Sequence, residues 1–226
     1  MSITGDGTDI DRRRLIELLS AERLTSYMHA TGDDVEAAFA LYEWNMRAGA
    51  SVTMTTGMVE VIVRNALDRS LREWATERGS ESWLDLAPLD QRGAEDIVKA
   101  RTRATRNGRD PEVHGKVVAE LTFGFWRYLV ASRYLTALWI PALTSAFAYG
   151  AEDVGLRRRQ VESDIKRLML VRNRAAHHEP IFRRDLTQDH AAALQIASWI
   201  DPVAARWIDH ESDLRGVHAV KPLPRN

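Results

Sequence analysis

The stretch Val52-Thr-Met-Thr-Thr-Gly-Met-Val59-Glu60-Val-Ile-Val63-Arg64-Asn65-Ala-Leu-Asp-Arg-Ser-Leu-Arg-Glu-Trp74-Ala-Thr-Glu-Arg78 decides the fold. Val59, Ile62, Val63, Ala66, Leu67 and Trp74 recur three and four apart, which predicts a helix with one apolar face. Gly79 supplies a stop. Toward the N-terminus, one helix is expected over 11–30, burying Leu15, Leu18, Leu19, Leu24 and Tyr27, with Gly32 ending it. Asp33 or Asp34 can then cap a second helix holding Val35, Ala38, Phe39, Leu41 and Tyr42.

Toward the C-terminus, 81–88 reads as a connector and 89–103 as a helix, followed by a basic, mobile turn through Asn107, Gly108 and Asp110-Pro111. The segment 113–149 is helical in pattern, broken at Gly124 and Pro141. Helices over 156–177 and 187–208 follow. No segment alternates as a strand does. The reading is an all-α single domain over 11–208, with a flexible N-terminus (1–10) and a loosely held tail (209–226).

Composition narrows function. The 226 residues are 45% apolar, enough for a substantial core without staples. There is no cysteine, which removes disulfides, thiolate nucleophiles and cysteine-bound zinc. The opening MSITGDGTDIDRRR lacks the apolar run of a signal peptide, and no run reaches the roughly 20 apolar residues of a membrane span, so a cytoplasmic protein without membrane contact is expected. The formal charge of −1 means that any nucleic-acid contact must come from local clusters. Arg101, Arg103, Arg106 and Arg109 form one such cluster, and Arg157, Arg158 and Arg159 another; each reads equally as a solvated face.

The stretch that can carry chemistry is Leu168-Met-Leu-Val-Arg172-Asn173-Arg174-Ala-Ala-His177-His178-Glu179-Pro180. Val161, Ile165 and Leu168 define a core-facing line, and Arg172 continues it four residues later. A guanidinium there must be paired, hydrogen-bonded or set at the wall of a cleft. His177 lies five residues on, roughly 140° round an ideal helix. Pro180 disfavours helix at Glu179, so the helix should end near His177 or His178, where a side chain can swing back toward the arginine.

These residue types suit RNA cleavage. RNA carries its own nucleophile, the 2′-hydroxyl, beside the scissile phosphate. Histidine moves protons near neutral pH, and arginine holds the phosphate and its extra transition-state charge. No metal or cofactor is needed for such a step. One histidine does not easily serve both proton transfers; His178 or a symmetry-related site is the candidate for the second.

The Arg172-Asn173-x-x-x-His177-His178 block resembles the R-x4–6-H motif of the HEPN superfamily. Four further blocks stand in the order found in the Abi-like (abortive infection) family of that superfamily. They are Leu19-Ser20-x-Glu22-Arg23-x-x-x-Tyr27, Leu41-Tyr42-Glu43-Trp44-Asn45, Glu60-Val61-x-x-Arg64-Asn65-Ala66 and Leu121-Thr122-Phe123-Gly124-Phe125-Trp126. The resemblance implies a HEPN-type helical bundle with additional helices, often a homodimer with its motifs near a shared cleft. It implies a role in phage defence or toxin–antitoxin systems, with RNA as substrate and an antitoxin or phage-derived trigger as partner. Arg172 and His177 would carry the cut, although some members are non-catalytic binding modules. His177 keeps Asn173 in the expected place; His178 is a second candidate.

Competing structural readings stand beside these. Arg172 and His177 can form a polar network between the last helices. Glu60 and Arg64 can be an exposed i,i+4 pair, or with Asn65 can orient the Arg172/His177 pair. Trp44 and Asn45 read as fold determinants, Asn45 satisfying nearby backbone. The aromatic run Phe123-Gly124-Phe125-Trp126 reads as packing before it reads as a base-stacking platform. The histidines His114, His190, His210 and His218 show no metal-ligand spacing.

Overall fold

The computed structural model describes residues 11–222, and the expected flexible segment 1–10 lies outside them. Eleven α-helices and no strand occur among the described residues. The axis of the fold is α3 (Val35–Thr76), 42 residues and so about 63 Å long. Two separate helices were expected here. They fuse because Trp44, Ala48 and Val52 carry the buried line through the intervening segment, and Gly49 is tolerated at a cost of about 1 kcal/mol. Of the two candidate caps, Asp34 accepts the Ala37 N–H at 3.0 Å, while Asp33 adopts a left-handed backbone.

The expected first helix is instead two, α1 (Arg12–Leu19) and α2 (Ala21–Ala30), broken at Ser20 with φ 72°. After α3 come the short α4 (Trp83–Leu86) inside the expected connector, and α5 (Gln91–Ala104). The basic turn that follows is hydrogen-bonded rather than loose: Asn107 N–H donates to Thr102 at 2.8 Å and Asp110 N–H to Thr105 at 3.0 Å. Next are α6 (His114–Glu120) and α7 (Phe123–Leu129). The break between them falls at Thr122, which caps α7, and not at Gly124. Tight turns surround Pro141 as expected, and lead to α8 (Val154–Ala176).

The expected last helix is also two, α9 (Leu186–Ile200) and α10 (Pro202–Glu211). Pro202 has no N–H to continue α9 and fits the first position of α10, where Asp201 caps Val203 N–H at 2.7 Å. A further helix, α11 (Leu214–Ala219), corrects the loose-tail expectation. Leu214 is buried, the Val217 carbonyl accepts the Trp44 indole N–H at 2.7 Å, and the Lys221 ammonium donates to the Phe182 carbonyl.

Two apolar clusters share α3 and α8. The larger joins Val59, Val63, Leu67 and Trp74 to α4–α7, α9, α10 and the first two-thirds of α8. The smaller joins Leu24, Tyr27, Phe39, Trp44 and Val52 to Val171 and Ala175 at the end of α8 and to Ile181 and Phe182 beyond it. Both helices therefore hold the candidate site rigidly from two sides. Among the described residues no helix is long and apolar enough to cross a membrane.

Candidate functional site

α8 begins on an Asp153 cap, whose carboxylate accepts Leu156 N–H at 2.6 Å, and ends at Ala176. Its termination is specific. Glu179 N–H reaches back to the Arg174 carbonyl at 2.8 Å and His178 N–H to that of Ala175 at 3.0 Å, with His178 left-handed at φ 54°. This is the Schellman pattern, and its left-handed position normally takes glycine. Here it takes a histidine.

The turn is tied to the rest of the fold on both sides. Arg23 of α2 donates to the His178 carbonyl at 2.9 Å. Asn45 of α3, only 3% exposed, accepts Ile181 N–H at 2.7 Å and donates to the Glu179 carbonyl at 3.3 Å. The reading of Asn45 as a backbone-satisfying amide holds, as does that of Trp44 as a buried tryptophan.

Arg172 sits half-exposed on α8. Its Nη2 lies 3.8 Å from Glu60 Oε2 on α3, and its Nη1 makes a long 3.4 Å contact with Asn173. Glu60 is thus brought to Arg172. Arg64 is not: its Nε reaches only its neighbour Asn65, at 3.5 Å. His177, exposed at the helix end, makes no hydrogen bond or ion pair with another described side chain, Arg172 included. His178 faces elsewhere again, lining with Glu179 a 590 Å³ groove walled by Met46, Gly49, Met54 and Ala175.

The expected RNA contacts fare differently. Arg158 is buried, its Nη1 bound to the Val130 carbonyl at 3.0 Å and to Glu162 at 2.6 Å, so its guanidinium ties α8 to α7 and is not available to RNA. Arg101 pairs with Asp85 at 2.7 Å and Glu112 at 3.2 Å, Arg103 with Glu120 at 2.8 Å, and Arg106 with Asp110 at 3.4 Å. The positive charge of that cluster is largely neutralised locally. Phe123, Phe125 and Trp126 are buried, and Phe125 and Trp126 pack with Trp83, as the packing reading required.

Other titratable groups act in the fold. Asp189, fully buried, is held by Arg167 at 2.7 Å and by Arg184 at 2.7 and 2.8 Å. Burial pushes the Asp164 carboxyl up to about 6, against weaker opposing effects from Gln160 and Arg167. Burial lowers His190, against the pull of Asp209. Asp90 is held down to about 2, chiefly by the Tyr128 hydroxyl and by Gly93 N–H, with Arg133 adding to it. Of these only His190 was named from the sequence, and then only for its lack of metal-ligand spacing. For Asp164 and Asp189 the signal is a polar residue on a core-facing line, as at Asp164 three residues after Val161, whereas Asp90 is the N-cap of α5. Among the described residues no three carboxylates or imidazoles converge as a metal site would require.

Comparison with protein-family models, with curated proteins and with solved structures finds no match for this chain.

Proposed function

We propose that the chain is a metal-independent endoribonuclease of phage-defence or toxin–antitoxin type, with Arg172 and His177 as its acting pair. The observation that carries this reading is an asymmetry of roles at the end of α8. The turn bearing His177 is clamped by Arg23 and Asn45, while Arg172 and His177 themselves stay accessible and fill no core position. A rigid frame around two accessible polar groups is what a reacting site needs.

In the proposed reaction His177 takes the proton of a 2′-hydroxyl, whose oxygen forms a bond to the adjacent phosphorus. The bond from phosphorus to the 5′-oxygen breaks, and that oxygen receives a proton from a second acid. The products are a 2′,3′-cyclic phosphate and a 5′-hydroxyl. Arg172 holds the phosphate oxygens, and Glu60 orients Arg172. His178 faces the groove and so does not stand beside His177, which favours a second copy of the chain as the source of the other acid. The half-exposed Met46, Met54 and Val61 on α3 give such a homodimer an apolar face beside the motif.

A second reading, a non-catalytic HEPN module binding RNA or a protein such as an antitoxin, is favoured by the lack of a hydrogen bond between Arg172 and His177 among the described residues. Expression of wild type and His177→Ala in bacteria, with growth and the 5′ ends of cellular RNA followed, tests between them. Arrest and new 5′-hydroxyl ends with wild type alone support the nuclease. Arrest by both without new ends supports the binding module.

A further inference from the structure

We infer that α3 carries the track for the phosphate backbone of the RNA, through Arg64, Arg69 and Arg72, an inference that rests on the RNA-cleaving reading above. Glu60, Arg64, Asp68 and Arg72 follow one another four residues apart, one turn at a time, on a helix that begins this row beside Arg172. The acids and bases in the row are treated oppositely. Glu60 is only 19% exposed and faces Arg172. Asp68 is 15% exposed, and its Oδ1 accepts the Trp83 indole N–H at 2.7 Å and meets His114 Nε2 at 2.7 Å. Both carboxylates are turned inward and engaged.

The arginines are turned outward. Arg69 and Arg72 are exposed and Arg64 is partly so, and none of the three has a carboxylate partner within 4.0 Å among the described residues. This contrasts with Arg101, Arg103 and Arg158, each locked to an acid. Glu73 and Glu77 border the shallow depression that Arg69 and Arg72 line, and they close the track at that end. Arg64 and Arg72 are about 12 Å apart along the axis, so a strand lying on them spans a few nucleotides and leads to Arg172.

Such a row fits a polyanion whose charges repeat along a line, and Arg forks suit phosphate. A single strand is favoured over a duplex. The cleavage chemistry needs a sugar free to bring its 2′-hydroxyl in line with the leaving oxygen, which stacking in a duplex resists.

The test is binding of a fluorescent 12-nucleotide single strand, 2′-O-methylated so that it cannot be cut, across a salt series, with cleavage of the unmodified strand measured in parallel. Arg64→Ala/Arg72→Ala should weaken binding on the order of 25-fold at 0.1 M salt and flatten the log–log salt slope by about 1.4, two phosphate contacts' worth. Circular dichroism melting confirms that the variant folds. Arg101→Ala/Arg103→Ala should leave binding within about twofold, since those groups are already paired. The inference is overturned if that second pair causes the loss instead, if wild type binds no single strand at low salt, or if the α3 pair affects only binding to anionic vesicles. The two claims separate cleanly. Binding that needs Arg64 and Arg72 without any cleavage leaves the track standing and removes the nuclease; cleavage indifferent to them does the reverse.

Discussion

Glu60 and Arg172 face each other at 3.8 Å across α3 and α8, the carboxylate mostly enclosed and the guanidinium 44% exposed. The pair is loose, partly wet and adds little to stability, since exposed ion pairs contribute about 0–1 kcal/mol. Its consequence is orientation: the carboxylate keeps the arginine at the wall between the two helices, where an incoming phosphate can compete for it.

Arg172→Ala is therefore expected to cost less than about 1 kcal/mol in stability while removing RNA cleavage. Arg158→Ala is the contrast, because it removes a buried guanidinium, leaves the half-buried Glu162 with Arg127 alone at 3.3 Å and leaves the Val130 carbonyl short of a donor. Leaving that carbonyl unsatisfied and losing the buried hydrogen bonds costs about 1–3 kcal/mol. Urea unfolding of both variants beside wild type measures the difference.

At His178 the backbone sits at φ 54°, a conformation that penalises a side chain by roughly 1–2 kcal/mol relative to glycine. His178→Gly should raise stability by about 1 kcal/mol and leave cleavage intact, with His177 as the working histidine. Loss of cleavage in this variant, with stability gained, would transfer the role to His178.

Asn45 connects fold to site. Asn45→Ala leaves the buried Ile181 N–H without an acceptor, a loss of about 1–3 kcal/mol. It also loosens the turn that positions His177, so kcat should fall together with the melting temperature. Hydrogen exchange at 178–182 should rise in the same variant.

Stability should depend on pH through two buried groups of opposite sign. Asp164 is raised to about 6, so the folded state binds its proton more tightly than the unfolded chain. Its contribution is intact below the unfolded value near 4 and is lost as pH rises through about 6. Asp164→Asn should consequently stabilise the protein at pH 7.5 by about 1–3 kcal/mol, with the gain vanishing near pH 4. His190 is lowered by burial, so its contribution is present above its unfolded value near 6.5 and is lost as pH falls below it. Thermal melts of Asp164→Asn and His190→Gln across pH 4–8 separate the two.

Much of this was legible in the sequence. The helical class follows from the periodicity of 52–78, and the line Val161–Ile165–Leu168–Arg172 implied an arginine that is paired, hydrogen-bonded or at the wall of a cleft, where Glu60 stands 3.8 Å from it. The fate of the basic clusters was harder to read. In the run 157–159 Arg158 is buried, because it lies three and seven residues before Val161 and Ile165, and Arg157 donates to the Ala151 carbonyl at 2.7 Å, which leaves Arg159 exposed. That phase was readable, but three adjacent arginines look like surface. The arginines of 101–106 were seen without their acids, which come from residues 85, 110, 112 and 120. The left-handed turn at His178 had no signal, since nothing local distinguishes it from an ordinary helix end. Pro202 did carry a signal: a proline after an aspartate marks a new helix start as readily as a kink.

Incubation of purified protein with a labelled RNA in EDTA, with the new ends identified by mass spectrometry, tests the proposed chemistry most directly. Wild type should yield 2′,3′-cyclic phosphate and 5′-hydroxyl ends, and His177→Ala should yield none while melting within a few degrees of wild type. Equal cleavage by wild type and His177→Ala, or ends bearing a 5′-phosphate, would contradict it.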